Sequence, residues 1–178
     1  MDASFFDYLQ RLEMMAFFSG YPFIYALVIF IFGNKQSKPG IGSRVVSLLP
    51  FAYALVGTLF LGIQLKNLYP DYSIENIIVY MDEPYLKIWG ILSLLFWIPA
   101  LGKKPVISLL HSLVFFYFLI RNISLHLLSA SVDKYALKNE MKVYTDSLLL
   151  NISALAGIAI IYFLIAWLKK NNNSSRVS

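Results

Sequence analysis

Residues 147–168, SLLLNISALAGIAIIYFLIAWL, contain no charged side chain and end against Lys169 and Lys170. As an α-helix this run extends about 33 Å at 1.5 Å per residue, enough to cross a hydrocarbon core of about 30 Å. Such a helix is apolar on every side, so it needs lipid or a large protein core around it. The composition points to lipid. Of the 178 residues, 58% are hydrophobic and 14% charged, and the mean hydropathy is +0.65; a soluble domain carries roughly a quarter charged residues.

Four further apolar runs precede it, at 14–33, 45–65, 87–101 and 105–129. The predicted fold is therefore all-α: a polytopic membrane helix bundle of about five transmembrane helices, led by an amphipathic interfacial segment at 1–13 (MDASFFDYLQRLE). That segment has no Lys- or Arg-rich start and no small-residue cleavage site, so no cleaved signal peptide is expected. Gly20-Tyr21-Pro22 predicts a break in the first span, tolerable where neighbours satisfy the carbonyls that it frees. Residues 34–44 (NKQSKPGIGSR) form a polar turn. Lys66 to Leu86 is a longer loop in which Asp71, Glu75, Asp82 and Glu83 alternate with tyrosines. Only Gly102-Lys103-Lys104 separates the short third span from the long fourth, predicting a tight antiparallel hairpin. Lys134, Lys138 and Lys142 recur every four residues, which predicts a surface helix over 130–146 with one solvated face. A polar tail fills 169–178.

Placing the N-terminus outside puts Lys35, Lys38, Arg44, Lys103, Lys104, Lys169, Lys170 and Arg176 in the cytoplasm without one acid. All 10 carboxylates then lie outside. Short, purely basic inner connections fit the positive-inside rule of a bacterial inner membrane, so the C-terminal tail is expected to be cytoplasmic.

The polarity inside the membrane concentrates on the fourth span. At 100° per residue, Ser108, His111, Ser112, Asn122 and His126 share one face with Ser129, with Phe115 and Leu119 in its middle. Intramembrane polar side chains face the bundle interior or a water-filled path, or hydrogen-bond neighbouring helices. Arg121, within FFYFLIRNISLHLL, points about 100° away from that face; it either snorkels to the interface or grips a phosphate or carboxylate such as Asp82 or Glu83. Arg121 and His126 are the candidates for catalysis. Arg121-Asn122-Ile123-Ser124-Leu125-His126 resembles the R-N-x-x-x-H pattern of HEPN-type ribonucleases, which implies a phosphate contact for Arg121 and an acid or base for His126. Three fixed positions in six residues identify no family.

No cofactor and no metal site is expected. His111 and His126 stand about 22 Å apart along one helix, too far to share one iron, and with no cysteine in the chain thiolate sites are excluded. H-E-x-x-H, G-x-S-x-G and Gly-rich phosphate loops are absent from the sequence. No internal repeat suggests an inverted-repeat transporter. Small residues are prominent instead: Ala52, Gly57 and Gly62 on the second span, Ser153 and Gly157 on the fifth. The expected partners are the lipid bilayer and another membrane protein or a second copy, with no nucleic acid. Three functions follow: an accessory or scaffold subunit of a membrane complex; a self-assembling pore or transport protein whose path is lined by the polar face of the fourth span; or a membrane enzyme using Arg121 and His126. The first is preferred, and an enzyme is the least expected.

Overall fold

In lipid a backbone N–H or C=O has no water to turn to, and helix is the only regular structure among the described residues, 13–33, 40–70, 72–73, 84–128 and 134–174 of a computed structural model. Four helices are long and apolar enough to cross a membrane, and one shorter apolar helix accompanies them. The chain is an all-helical membrane bundle. The amphipathic segment 1–12, the acidic part of the 66–86 loop and the last four residues lie outside the described residues.

The first span is interrupted. Residues 13–18 are helical, Ser19 and Gly20 form a turn, and α1 (Tyr21–Phe32) starts with Pro22 in its first turn, where a missing N–H costs nothing. The groups freed by the turn find partners on the last helix: Gly20 N–H donates to Ser147 Oγ at 2.8 Å, and Asn151 Nδ2 donates to the Phe17 carbonyl at 2.9 Å. Gly20 itself is required here, since a Cβ would meet the backbone of Ser147 and Leu148 at 2.7 Å.

Helix α2 (Ile41–Leu68) is central and touches every other helix. The third apolar run, expected as one helix over 87–101, is divided: α3 (Pro84–Leu92) continues as a 3-10 segment, Ser93–Trp97, and then α4 (Pro99–Gly102). The division has two causes. Pro99 crowds the residue before it out of the helical region, and Ile98 is extended at φ −72° and ψ 125°. Ser93 Oγ also bonds back to the Gly90 carbonyl at 2.6 Å, a local bond that competes with the α ladder. After the Lys103-Lys104 turn comes α5 (Pro105–Leu128).

The surface helix expected over 130–146 is not separate. It is the first part of α6, a continuous helix of 41 residues, Lys134–Ser174, about 61 Å long at 1.5 Å per residue. Nothing in 134–174 breaks a helix, since the segment contains no proline and its glycine, Gly157, is a single one. Lys138 and Lys142 are exposed, as a solvated face requires. Glu140, Ser147, Asn151 and Ala154 face inward, packing α6 against α1, α2 and α5.

The core between these helices is aromatic. Phe18 stacks on Phe115 at 4.6 Å between ring centroids and meets Phe60 edge-on at 5.3 Å, while Tyr21 and Tyr53 lie 4.4 Å apart. Small residues make room for it. Gly57 on α2 is so close to Ser93 that a Cβ would overlap the serine hydroxyl, whereas Gly62 has open space around it. Gly57→Ala is therefore expected to destabilise the bundle by about 2 kcal/mol through overpacking. Adding Ser93→Ala removes the overlapping oxygen and should recover part of that loss, as read from thermal unfolding of the single and double variants in detergent.

Candidate functional site

Three polar residues in the first two turns of α5 converge on the rings of other helices. Ser108 and Ser112 are fully buried and His111 is 9% exposed. Their placement follows from the helical period: residues 108, 111, 112 and 115 form one stripe, and the stripe ends on Phe115 and Leu119, each 1% exposed. The polar and aromatic parts of this face pack as one surface against the first span and α2, with Trp89 of α3 laid on the imidazole.

Each member has a specific bond. Tyr21 Oη lies 2.7 Å from Ser108 Oγ, tying α1 to α5. Tyr53 Oη lies 2.8 Å from His111 Nδ1, tying α2 to α5. Trp89 of α3 stacks flat on the imidazole, 4.7 Å between centroids and 6° between planes, and its Nε1–H donates to the His111 carbonyl at 3.1 Å. Phe96 meets the imidazole edge-on from the 3-10 segment at 5.8 Å. Ser112 Oγ turns back to the Leu109 carbonyl of its own helix at 2.8 Å. One nitrogen is left over: His111 Nε2 is buried without a hydrogen-bond partner.

The result is a histidine enclosed by rings and joined to three helices. Ser108, His111 and Ser112 are covered by their own chain, so the polar face they form is not open to a water path between copies. Asn122 is half-buried further along α5, and Arg121 is exposed. The carboxylates considered as partners of Arg121, Asp82 and Glu83, and the His126 side chain lie outside the described residues, as does Ser129. Among the described residues no group of three or more His, Asp or Glu side chains could hold a metal ion.

A second polar cluster escaped the sequence reading. At the opposite end of the bundle from Lys103, the Asn67 side chain hydrogen-bonds Glu13, and the ammonium of Lys87 attracts the same carboxylate. Lys87 is 6% exposed and Glu140, on the first turns of α6, is fully buried. Glu13, Lys87 and Glu140 stand in sequence as ordinary span-edge charges. The packing of the residues before α1 against α3 and α6 shields Glu13 in part, Lys87 and Glu140 are buried, and no local pattern in the sequence marks that.

The chain matches no protein family, no curated protein and no solved structure.

The bond between Tyr53 and His111 is open to test. Tyr53→Phe is expected to cost about 1 kcal/mol, the usual worth of one such bond. In a chain already carrying His111→Phe the same substitution should cost nothing further. Chemical unfolding in micelles, followed by tryptophan fluorescence, measures both. Equal losses in the two backgrounds would mean that the bond contributes nothing to stability.

Proposed function

We propose that the chain is a small multi-pass protein of a bacterial inner membrane that acts as an accessory or scaffold subunit, docking on another membrane protein or on a second copy through the distal half of α6. The observation that carries this reading is the change along α6. Up to Ala154 the helix has an inward face held by α1 and α2. From Ile160 to Asn171 every residue is exposed, and Ile160, Leu164 and Trp167 are each more than half exposed. At 100° per residue these three share a face with Ser153 and Gly157, and a Cβ added at Gly157 would meet nothing within 4 Å. Lipid alone gives apolar helices no reason to associate, and close backbone approach over small residues is what makes a contact favourable. Here the small residues are present, and among the described residues no helix of the same chain packs on Gly157.

The orientation with the N-terminus outside and the tail in the cytoplasm rests on the basic connections around Arg44, Lys103 and Lys169. Since the chain has no cysteine, single replacements report topology cleanly. A membrane-impermeant maleimide added to intact cells should label Tyr72→Cys and leave Lys104→Cys unlabelled until the membrane is opened. The reverse pattern would invert the orientation. For the partner, photo-cross-linking residues at Ile160 and Leu164 should yield a discrete adduct in native membranes, and one at the buried Leu49 should not. If neither exposed position gives an adduct, the accessory reading fails.

A further inference from the structure

Between α6 and the rest of the bundle lies a groove of about 560 Å³, within the size range of small-ligand sites. Its walls are Leu48 and Phe51 of α2, Trp97 at the end of the 3-10 segment, and Ile158, Ile161 and Ile165 of α6; Lys103 stands at one end. The groove has a cause in the sequence. The inward face of α6 is small at Ser147 and Ala154, so the helix lies close against α1 and α2 there. It then becomes branched at Ile158, Ile161 and Ile165, and the helices part.

We propose that this groove holds one acyl chain of an anionic glycerophospholipid from the surrounding leaflet, with the headgroup phosphate against the Lys103 ammonium. The walls are apolar and open sideways, so in a membrane the space is filled by what surrounds it. A helix with a diameter of about 10 Å fills about 800 Å³ in each 10 Å of its length, more than the whole groove holds. A free anion would find few donors inside: of the two hydroxyls in the lining, Ser47 Oγ already donates to the Arg44 carbonyl at 2.7 Å, which leaves the single one of Tyr162. Charge selects the headgroup. Arg44 lies one turn before Ser47 on α2, Lys104 follows Lys103, and Lys169 and Lys170 follow Ile165 by about one turn. No acid occurs in 40–44, 102–106 or 169–171, so among the described residues the rim of this end is cationic, and a basic residue near the surface draws anionic lipid. The proposal does not depend on the accessory reading, since it uses the face of α6 that carries Ile158 and Ile165, while docking uses the opposite one.

The test reconstitutes the full chain in vesicles of equimolar phosphatidylglycerol and phosphatidylcholine, extracts it in mild detergent, and identifies retained lipid by native mass spectrometry. The wild-type protein should keep one phosphatidylglycerol in preference to phosphatidylcholine. Lys103→Glu should lower that preference about fivefold or more, a basic residue's worth of attraction being removed and a repulsion added. Ile161→Trp, at a position already half exposed, should fill the groove and lose both lipids while the helical circular dichroism is unchanged; Leu110→Trp, on another lipid-facing surface, should retain them. Lipids retained in the bulk ratio, or an unchanged preference in Lys103→Glu, would overturn the proposal. So would release of the lipid by inorganic phosphate, which would assign the rim to free anions, or a polypeptide held in place of lipid that Ile161→Trp dislodges.

Discussion

A turn in the middle of a membrane span strands backbone groups where no water can reach them, and each stranded group costs several kcal/mol in hydrocarbon. This chain has such a turn at Ser19 and Gly20, and its architecture depends on how the turn is satisfied. Ser147 and Asn151 stand one helical turn apart on α6, so both reach the interruption from one face. Ser147 accepts from Gly20 and Asn151 donates to Phe17. Asn151 Nδ2 also donates to the Ser147 carbonyl at 2.8 Å, which fixes the amide in place. The first and last spans are thus joined by polar bonds whose alternative is an unpaired group in an apolar medium. The contact has to be close, and the lack of a side chain at Gly20 allows it.

Once α1 is held against α6, the aromatic core follows. Phe18, just before the turn, and Tyr21, just after it, project into the space between α2 and α5. There Phe18 stacks on Phe115, and Tyr21 reaches Ser108 and lies against Tyr53. Tyr53 in turn bonds His111, and Trp89 covers the imidazole. In water such rings would be driven together by the hydrophobic effect. Between helices already surrounded by hydrocarbon, that drive is absent, and packing and hydrogen bonds must supply the association. A core made of large flat rings with hydroxyl and imidazole tips supplies both, because each ring offers a wide contact surface and each tip one directional bond.

The all-helical membrane bundle was legible because it rests on long apolar runs, whose length is set by the bilayer rather than by any partner. The interruption near Gly20 was legible too, since Gly and Pro act locally. Helix continuity was harder. The 3-10 segment before Pro99 follows from the proline and from the back-bond of Ser93, whereas the continuity of α6 through Asp146 and Ser147 contradicts a boundary drawn where charge gives way to apolar residues. Polarity changes at a membrane surface and helices need not stop there. Of the polar face of α5, the inward stripe Ser108, His111 and Ser112 could be read from periodicity. Its partners Tyr21, Tyr53 and Trp89 could not, because they come from three other elements and no spacing in the sequence links them.

The two ends of α6 show how one helix can serve two purposes. Its first half carries small and polar residues at the helical period, and these bring it close enough to make directional bonds to α1. Its second half substitutes isoleucines on the same face, and the separation between helices grows by the bulk of those side chains. In water the resulting cleft would expose apolar surface and tend to close. In a bilayer there is no such penalty, because lipid solvates both walls, so a membrane protein can keep a permanent cleft without strain. The face opposite the cleft carries Ser153, Gly157, Ile160 and Leu164, and remains available to another helix. Joining the α6 stem firmly at Ser147 and Asn151 while its distal half stands apart leaves two surfaces of one helix uncovered, a cleft walled by isoleucines and a face that carries small residues.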